Sequence, residues 1–294
     1  MFLEVLRLFE DRGPELALFH RMLRGESDKQ ILLVLDDGEK GKTWFIWRLF
    51  HDCRQQGVPV VLLDFDRDRS RLAGDVDSVV SEVCGYLGDE RTSCVRDCAA
   101  RMGLLTSLAD RVASGPASGV GFGQSNIFTG AEISSIAGRD IWQVGAVFTG
   151  PLTPEQQAQR QADLGRALCR DLGALGRAVL LIDTFERAPE DTRAWLERWL
   201  FRALSRELSD VILVVAGRPE KCRPFFAQPR LWSDLIASID CLTPFSEDEV
   251  LGYYARRGIV VSAAEVSLIA IACTNPGRMA QVGDWLEQTR GGAR

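Results

Sequence analysis

Uninterrupted apolar runs alternate along the chain with stretches of helical period. Residues 31–35 (ILLVL), 58–64, 178–183 (AVLLID), 211–216 (VILVVA) and a shorter run at 236–242 lack a polar face, as strands buried on both sides do. Between them, apolar residues recur at i, i+3 and i+4. This predicts helices over 44–56 (ended by Gly57), 75–87, 94–112, 154–172 and 189–207. In the last of these, Trp195, Leu196, Trp199, Leu200, Ala203 and Leu204 share one face. Arg198, Arg202 and Arg206 lie on the other, read as a solvated row paired to Glu197 and Glu207. Residues 2–24 predict two short helices with a turn at Gly13-Pro14, and three more helices are expected over 247–257, 263–273 and 278–289.

Apolar strands separated by helices define an α/β fold with a parallel, five-stranded sheet covered on both faces. The expected organisation is a helical entry segment at 1–30, an α/β core at 31–245 and a small helical lid at 246–294. Residues 114–150 break the rhythm. They are rich in Gly and Ser, with β-branched pieces such as 126–129 and 132–136, and read as an inserted β-hairpin or stack of β-turns. The insertion is the expected contact surface for another chain.

Composition narrows the chemistry. The chain has 294 residues, 46% of them hydrophobic and 26% charged, with a net charge of −6 and a pI near 5.2. That balance argues against a standing nucleic-acid or anionic-membrane surface. Eight cysteines form no CxxC pair and only His20 and His51 are present, so no zinc spacing can be assembled. Cys94 and Cys98, four apart, read as core packing. With no secretory signal and no apolar run long enough to span a bilayer, free thiols fit a cytoplasmic protein.

The chemistry concentrates after the first strand. Residues 31–43, ILLVLDDGEKGKT, are a buried strand entering a turn-rich loop that ends in Gly41-Lys42-Thr43. An apolar helix start at Trp44-Phe45-Ile46-Trp47 follows. Strand, glycine loop ending GK[ST], and helix is the context a phosphate-binding loop requires. Loop amides and the positive helix end hold phosphates. Lys42 would reach the outer phosphates and the Thr43 hydroxyl would ligate Mg²⁺. Gly38, Gly41, Lys42, Thr43 and Trp44 are thus candidate nucleotide contacts. Two of only four lysines (Lys29, Lys40, Lys42, Lys221) fall in this loop, in a chain whose other basic residues are all arginine. The full pattern GxxxxGK[ST] wants glycine at 36, where this chain has Asp36. Asp37-Gly38 is expected to supply the flexibility instead, and the Asp36 carboxylate must turn away from any phosphate.

Ligands of such sheets bind beyond the carboxyl ends of the strands, and three strand-end residues meet that condition: Lys42, Asp183 and Arg218. Asp183 is placed to contact Mg²⁺ through water. Glu186 is placed either to polarise an attacking water or to pair with Arg187. Arg218 is placed either to sense a γ-phosphate or to cap the helix that follows.

The segments DGEKGKT, VLLIDTFE, VILVVAGR, LTPFSEDEVLGYYARRGI and TNPGR resemble, in order and style, the STAND-type ATPases and their AAA+ relatives, which are P-loop NTPases. The resemblance covers most of residues 5–290 apart from the insertion. It implies ATP or ADP with Mg²⁺ as cofactors, with Lys42 and Thr43 on phosphate and metal, Asp183 on metal, and Arg218 as first sensor. It also implies that Pro276 packs on adenine and that Arg278 is a second sensor. Phe9 to Arg12 with Glu15-Leu16 resembles the entry segment F-x-G-R-x-x-E-L that lines the adenine pocket in these families, which brings in Arg12; an amphipathic entry helix is the alternative. Asp36 and Thr184 stand where the families place a glycine and a catalytic acid, so hydrolysis is expected to be slow or absent.

The resemblance implies a nucleotide-dependent switch in bacterial signalling or defence. The core and lid account for the length, so effector and sensor are expected on a protein partner, and a homo-oligomer is compatible. The alternatives are an inactive pseudo-ATPase scaffold and an AAA+ motor or DNA loader. The acidic pI counts against the loader, and no aromatic pore loop for a motor is visible.

Overall fold

A computed structural model of the chain describes residues 12–66, 74–101, 153–227, 230, 232–273 and 275–291. The first predicted helix, the end of the 94–112 helix and the 114–150 insertion lie outside the described residues.

Five strands form one parallel sheet: β1 (Ile31–Leu35), β2 (Val60–Asp64), β3 (Ala178–Asp183), β4 (Val211–Gly217) and β5 (Ile236–Ile239), in the order β2-β3-β4-β1-β5. Each of the four inner or long strands is buried nearly end to end, which is why the sequence shows no alternation there. Strand β5 is a half-exposed edge and ends three residues before the predicted boundary.

Helices cover both faces. On one side α1 (Gly13–Leu23) and α2 (Lys42–Gln55) pack Phe19, Met22, Phe45, Ile46 and Leu49 against the even residues of β1 and β4. On the other lie α3 (Val76–Leu87), α4 (Ser93–Arg101) and α5 (Pro154–Ala174), with α6 (Glu190–Leu196), α7 (Arg202–Leu204) and α8 (Pro219–Phe226). Gly13 and Pro14 begin α1, because proline suits a first helical turn.

The helix predicted over 189–207 is interrupted. Residues Glu197–Phe201 form a π-turn between α6 and α7. There the Trp199 indole lies so close to α5 that a Cβ added at Gly165 would stand 2.3 Å from its Cγ. Arg198, Arg202 and Arg206 are exposed, as expected of a solvated row. Glu197 pairs with Arg202 and also with Arg230. Cys98 is buried and Cys94 half-buried.

After β5 the chain enters α9 (Glu247–Arg256), α10 (Ala263–Ala272) and α11 (Pro276–Gly291). Ser246 and Ser262 each form a capping box with the glutamate three residues on. These helices have their own core, with Phe245, Val250, Tyr253, Tyr254, Met279 and Leu286 buried together. Helix α11 starts two residues before the predicted boundary because the Asn275 side chain accepts from the Arg278 amide, a helix cap. Among the described residues no helix is long and apolar enough to cross a membrane.

Candidate functional site: the phosphate loop and its neighbours

All five strands run the same way, so β1, β3 and β4 deliver Lys42, Asp183 and Arg218 to one edge of the sheet. The loop after β1 turns through two left-handed residues, Glu39 (φ 63) and Gly41 (φ 92). The freedom expected of Gly38 is therefore exercised one residue later, by a glutamate. Gly38 serves a different end: the Arg218 guanidinium lies over it, 3.5 Å from where a Cβ would stand.

Helix α2 begins at Lys42 with Gly41 as its N-cap residue and no side-chain cap, whereas α3, α5, α9 and α10 are each capped by a side chain. A helix start aims its first-turn amides and positive dipole end along the axis, the arrangement that receives an anion. The loop carbonyls, by contrast, are engaged. Lys42 Nζ donates to the Asp36 and Asp37 carbonyls at 2.6 Å each. Asn275 Nδ2 donates to the Glu39 carbonyl at 3.0 Å, and Arg12 Nη2 to the Lys40 carbonyl at 2.9 Å. Side chains thus fix the carbonyl side of the loop.

Asp36 turns away from the loop mouth. Its carboxylate is buried and accepts from the Asp37 amide at 2.7 Å and the Leu242 amide at 2.8 Å. Burial lowers the Lys42 pKa below its ordinary value, outweighing the pull of Asp36, Glu186 and Asp183; Arg218 pushes the same way as burial. The ammonium is thus under-neutralised, and an arriving polyanion would relieve it.

Asp183 is 2% exposed, and its Oδ1 accepts from the Thr184 amide at 2.9 Å. Thr184 itself is left-handed (φ 55). A β-branched residue is strained there, and such outliers gather at functional sites. Glu186 pairs with Arg218, Nε to Oε1 at 3.6 Å, and not with Arg187, which bonds to Asp66. Its other oxygen accepts from the Arg218 amide at 3.3 Å. Arg218 precedes α8 without capping it by its side chain. Gly217 permits this closeness, because a Cβ there would lie 2.8 Å from Glu186 Oε2 and 2.3 Å from Cys222 Sγ. Burial pushes the Cys222 thiol up to about 12, so it is no nucleophile at neutral pH.

The C-terminal helices close over the same loop. Arg278 hydrogen-bonds the Glu39 carboxylate. A Cβ on Gly41 would meet Arg12, Asn275 and Pro276 at 3.2, 3.4 and 3.5 Å, and one on Gly277 would stand 3.1 Å from the Trp44 ring. Arg12 and Pro276 therefore lie against Gly41, Trp44 against Gly277, and Arg278 on Glu39. Thr43 lies in the first turn of α2. Sequence reading missed Glu39, the partner of Arg278, and Thr243, whose amide and hydroxyl donate to Glu15 Oε1 at 2.9 and 2.6 Å. Burial alone would raise the Glu15 pKa, but these bonds leave it lowered. Neither pair has a local signal, since each joins residues more than 200 apart.

The parallel sheet, the loop after β1 and the helix behind it define a P-loop NTPase fold. No family model matches the chain, and no curated protein matches it. Among solved structures the chain is similar to a Walker-type ATPase of Pyrococcus abyssi, with 15% identity and a TM-score of 0.49 over 96% of this chain and 68% of that one. At that identity and score the likeness says nothing of substrate or reaction.

Proposed function

We propose that the chain is a nucleotide-binding switch of the STAND and AAA+ kind, which binds ATP or ADP with Mg²⁺ and controls a protein partner through the nucleotide it holds. The observation that carries this reading is the convergence on one loop. Lys42, Asp183, Glu186 and Arg218 face it from the sheet edge, and Asn275, Pro276 and Arg278 meet it from the C-terminal helices. Phosphates would meet the N-terminal end of α2 and the Lys42 ammonium, and Arg218 and Arg278 would lie near the outer phosphate.

The donor set fits Mg²⁺, which takes one or two protein oxygens and completes its shell with phosphate and water. The Thr43 hydroxyl and the buried Asp183 carboxylate are the oxygens in question, and the ion would neutralise phosphate charge. Thr184 offers no carboxylate beside Asp183, and Glu186 is held by Arg218, so turnover is slow. A site whose ligand also bridges the C-terminal helices suits a switch better than a rapid catalyst.

The test is to denature the purified protein and identify any released nucleotide by chromatography, then to titrate the emptied protein with a fluorescent ATP analogue and Mg²⁺. Saturable, Mg²⁺-dependent binding supports the reading. No binding up to millimolar concentration removes it.

A further inference from the structure

The residue standing where a phosphate loop carries glycine joins that loop to a distant segment. Asp36 is 5% exposed, and its Oδ2 accepts from the Leu242 amide at 2.8 Å, in a buried bond spanning 206 residues. Asp36 is not left-handed, so a glycine's freedom is not needed there. The next residue is gripped again. Thr243 donates twice to Glu15, and its carbonyl accepts from Arg12 Nη1 at 2.8 Å.

The other arm of the same guanidinium, Nη2, donates to the Lys40 carbonyl at 2.9 Å, and its carbon lies 5.5 Å from the centre of the Phe245 ring. The phosphate loop is therefore fastened to residues 242–245 near both its ends, through Asp36 and through Arg12. Phe245 belongs to the core of the C-terminal helices, and Ser246 caps α9. With glycine at 36 the buried Leu242 amide would lose its acceptor, a costly loss for a group without water.

We propose that Asp36 and Arg12 are positioning residues that make 242–245 a strap, by which the conformation of the phosphate loop sets that of helices α9–α11 and is set by it. What shifts the loop is the nucleotide of the reading above; the strap itself stands without it. Coupling of this kind requires one element that both ends bias, and by linkage it must act in both directions.

Hydrogen–deuterium exchange on the full chain tests the proposal, comparing the parent with D36G, D36N and E15Q. Without nucleotide, D36G should speed exchange at Leu242 and Thr243 roughly tenfold or more, as loss of a bond to a charged acceptor implies, and should loosen α9. D36N keeps one acceptor oxygen and should fall between D36G and the parent, which guards against a D36G chain that fails to fold. E15Q, altered at the far side of the strap, should speed exchange at residues 37–41. Faster exchange confined to the loop in D36G, or confined to 242–245 in E15Q, would overturn the strap. Added Mg-ATP should slow exchange at 242–245 in the parent but not in D36G. Reciprocal loosening in a parent that ignores Mg-ATP would keep the strap and sink the nucleotide reading.

Discussion

Replacing Lys42 by alanine removes an ammonium that holds the loop and would also meet the outer phosphates. In the structure its Nζ makes two 2.6 Å bonds to carbonyls of its own loop. Burial dominates its environment and depresses its pKa. Removing one member of a hydrogen-bonded charge pair costs about 2–5 kcal/mol of binding. Nucleotide affinity should therefore fall by roughly 30-fold to several thousand-fold, at about 1.4 kcal/mol per tenfold. K42R should not rescue it, because a planar fork cannot place a point charge between two carbonyls. Of the carbonyls freed by K42A, that of Asp37 is exposed and that of Asp36 part-buried, so the melting temperature should fall by about 2–4 °C.

Fluorescence anisotropy with a labelled nucleotide, run beside thermal unfolding, separates these effects. A folded K42A variant that binds within threefold of the parent would refute the assignment. The pH dependence adds a second check. A lysine whose folded pKa is lowered costs stability while charged, and the cost disappears between that lowered pKa and 10.5. Measured against K42M, the parent should gain stability as pH rises through this window. Nucleotide binding by the parent should weaken over the same range.

Three other outcomes follow from the geometry. Steady-state turnover should stay below roughly 1 s⁻¹, the low end of ordinary enzymes; faster phosphate release in a coupled assay would mean that Thr184 and the Glu186–Arg218 pair have been misread. E39Q frees Arg278 from an exposed partner, so stability should change by less than about 1 kcal/mol, while nucleotide affinity rises a few-fold and the rise fades in high salt. Equal affinity for E39Q and parent at low salt would contradict this. G165A should destabilise by about 1–3 kcal/mol through overpacking, because its Cβ would fall 2.3 Å from Trp199 Cγ; an unchanged unfolding midpoint in urea would show that the indole moves freely.

The fold was legible wherever burial is two-sided. The strand at Ala178–Asp183 coincides with its apolar run, because a strand covered on both faces stays apolar up to its last residue, here Asp183 at the sheet edge. At the sheet edge the rule fails. The run to 242 reads as strand, yet β5 stops at Ile239, and Leu242 is buried as part of the segment held by Asp36. Apolar period likewise cannot report the π-turn at Glu197–Phe201, which changes hydrogen bonding without changing which residues are apolar. At the site, the placement of Lys42, Asp183 and Arg218 was readable because parallel strands bring all their carboxyl ends to one edge. Their partners were not. Local order suggests Glu186 with Arg187, whereas the fold gives Glu186 to Arg218 and Arg187 to Asp66.

The strand order has a consequence for how the molecule is made. Strand β1 bonds only to β4 and β5, and Ile31 finds its partners in Leu213 and Ile236, about 180 and 200 residues later. At about 5–20 residues per second, a ribosome takes roughly 10–40 s to cover the shorter of those distances. Throughout that interval five consecutive apolar residues have no ladder to join, and pairing across so long a separation is slow even once both strands exist. Nascent chains stalled before residue 211 should hold β1 exposed and stick to chaperones or to one another. The phosphate loop that leaves β1 cannot set until β4 arrives, so a segment made long before its partner strand is among the last to take shape.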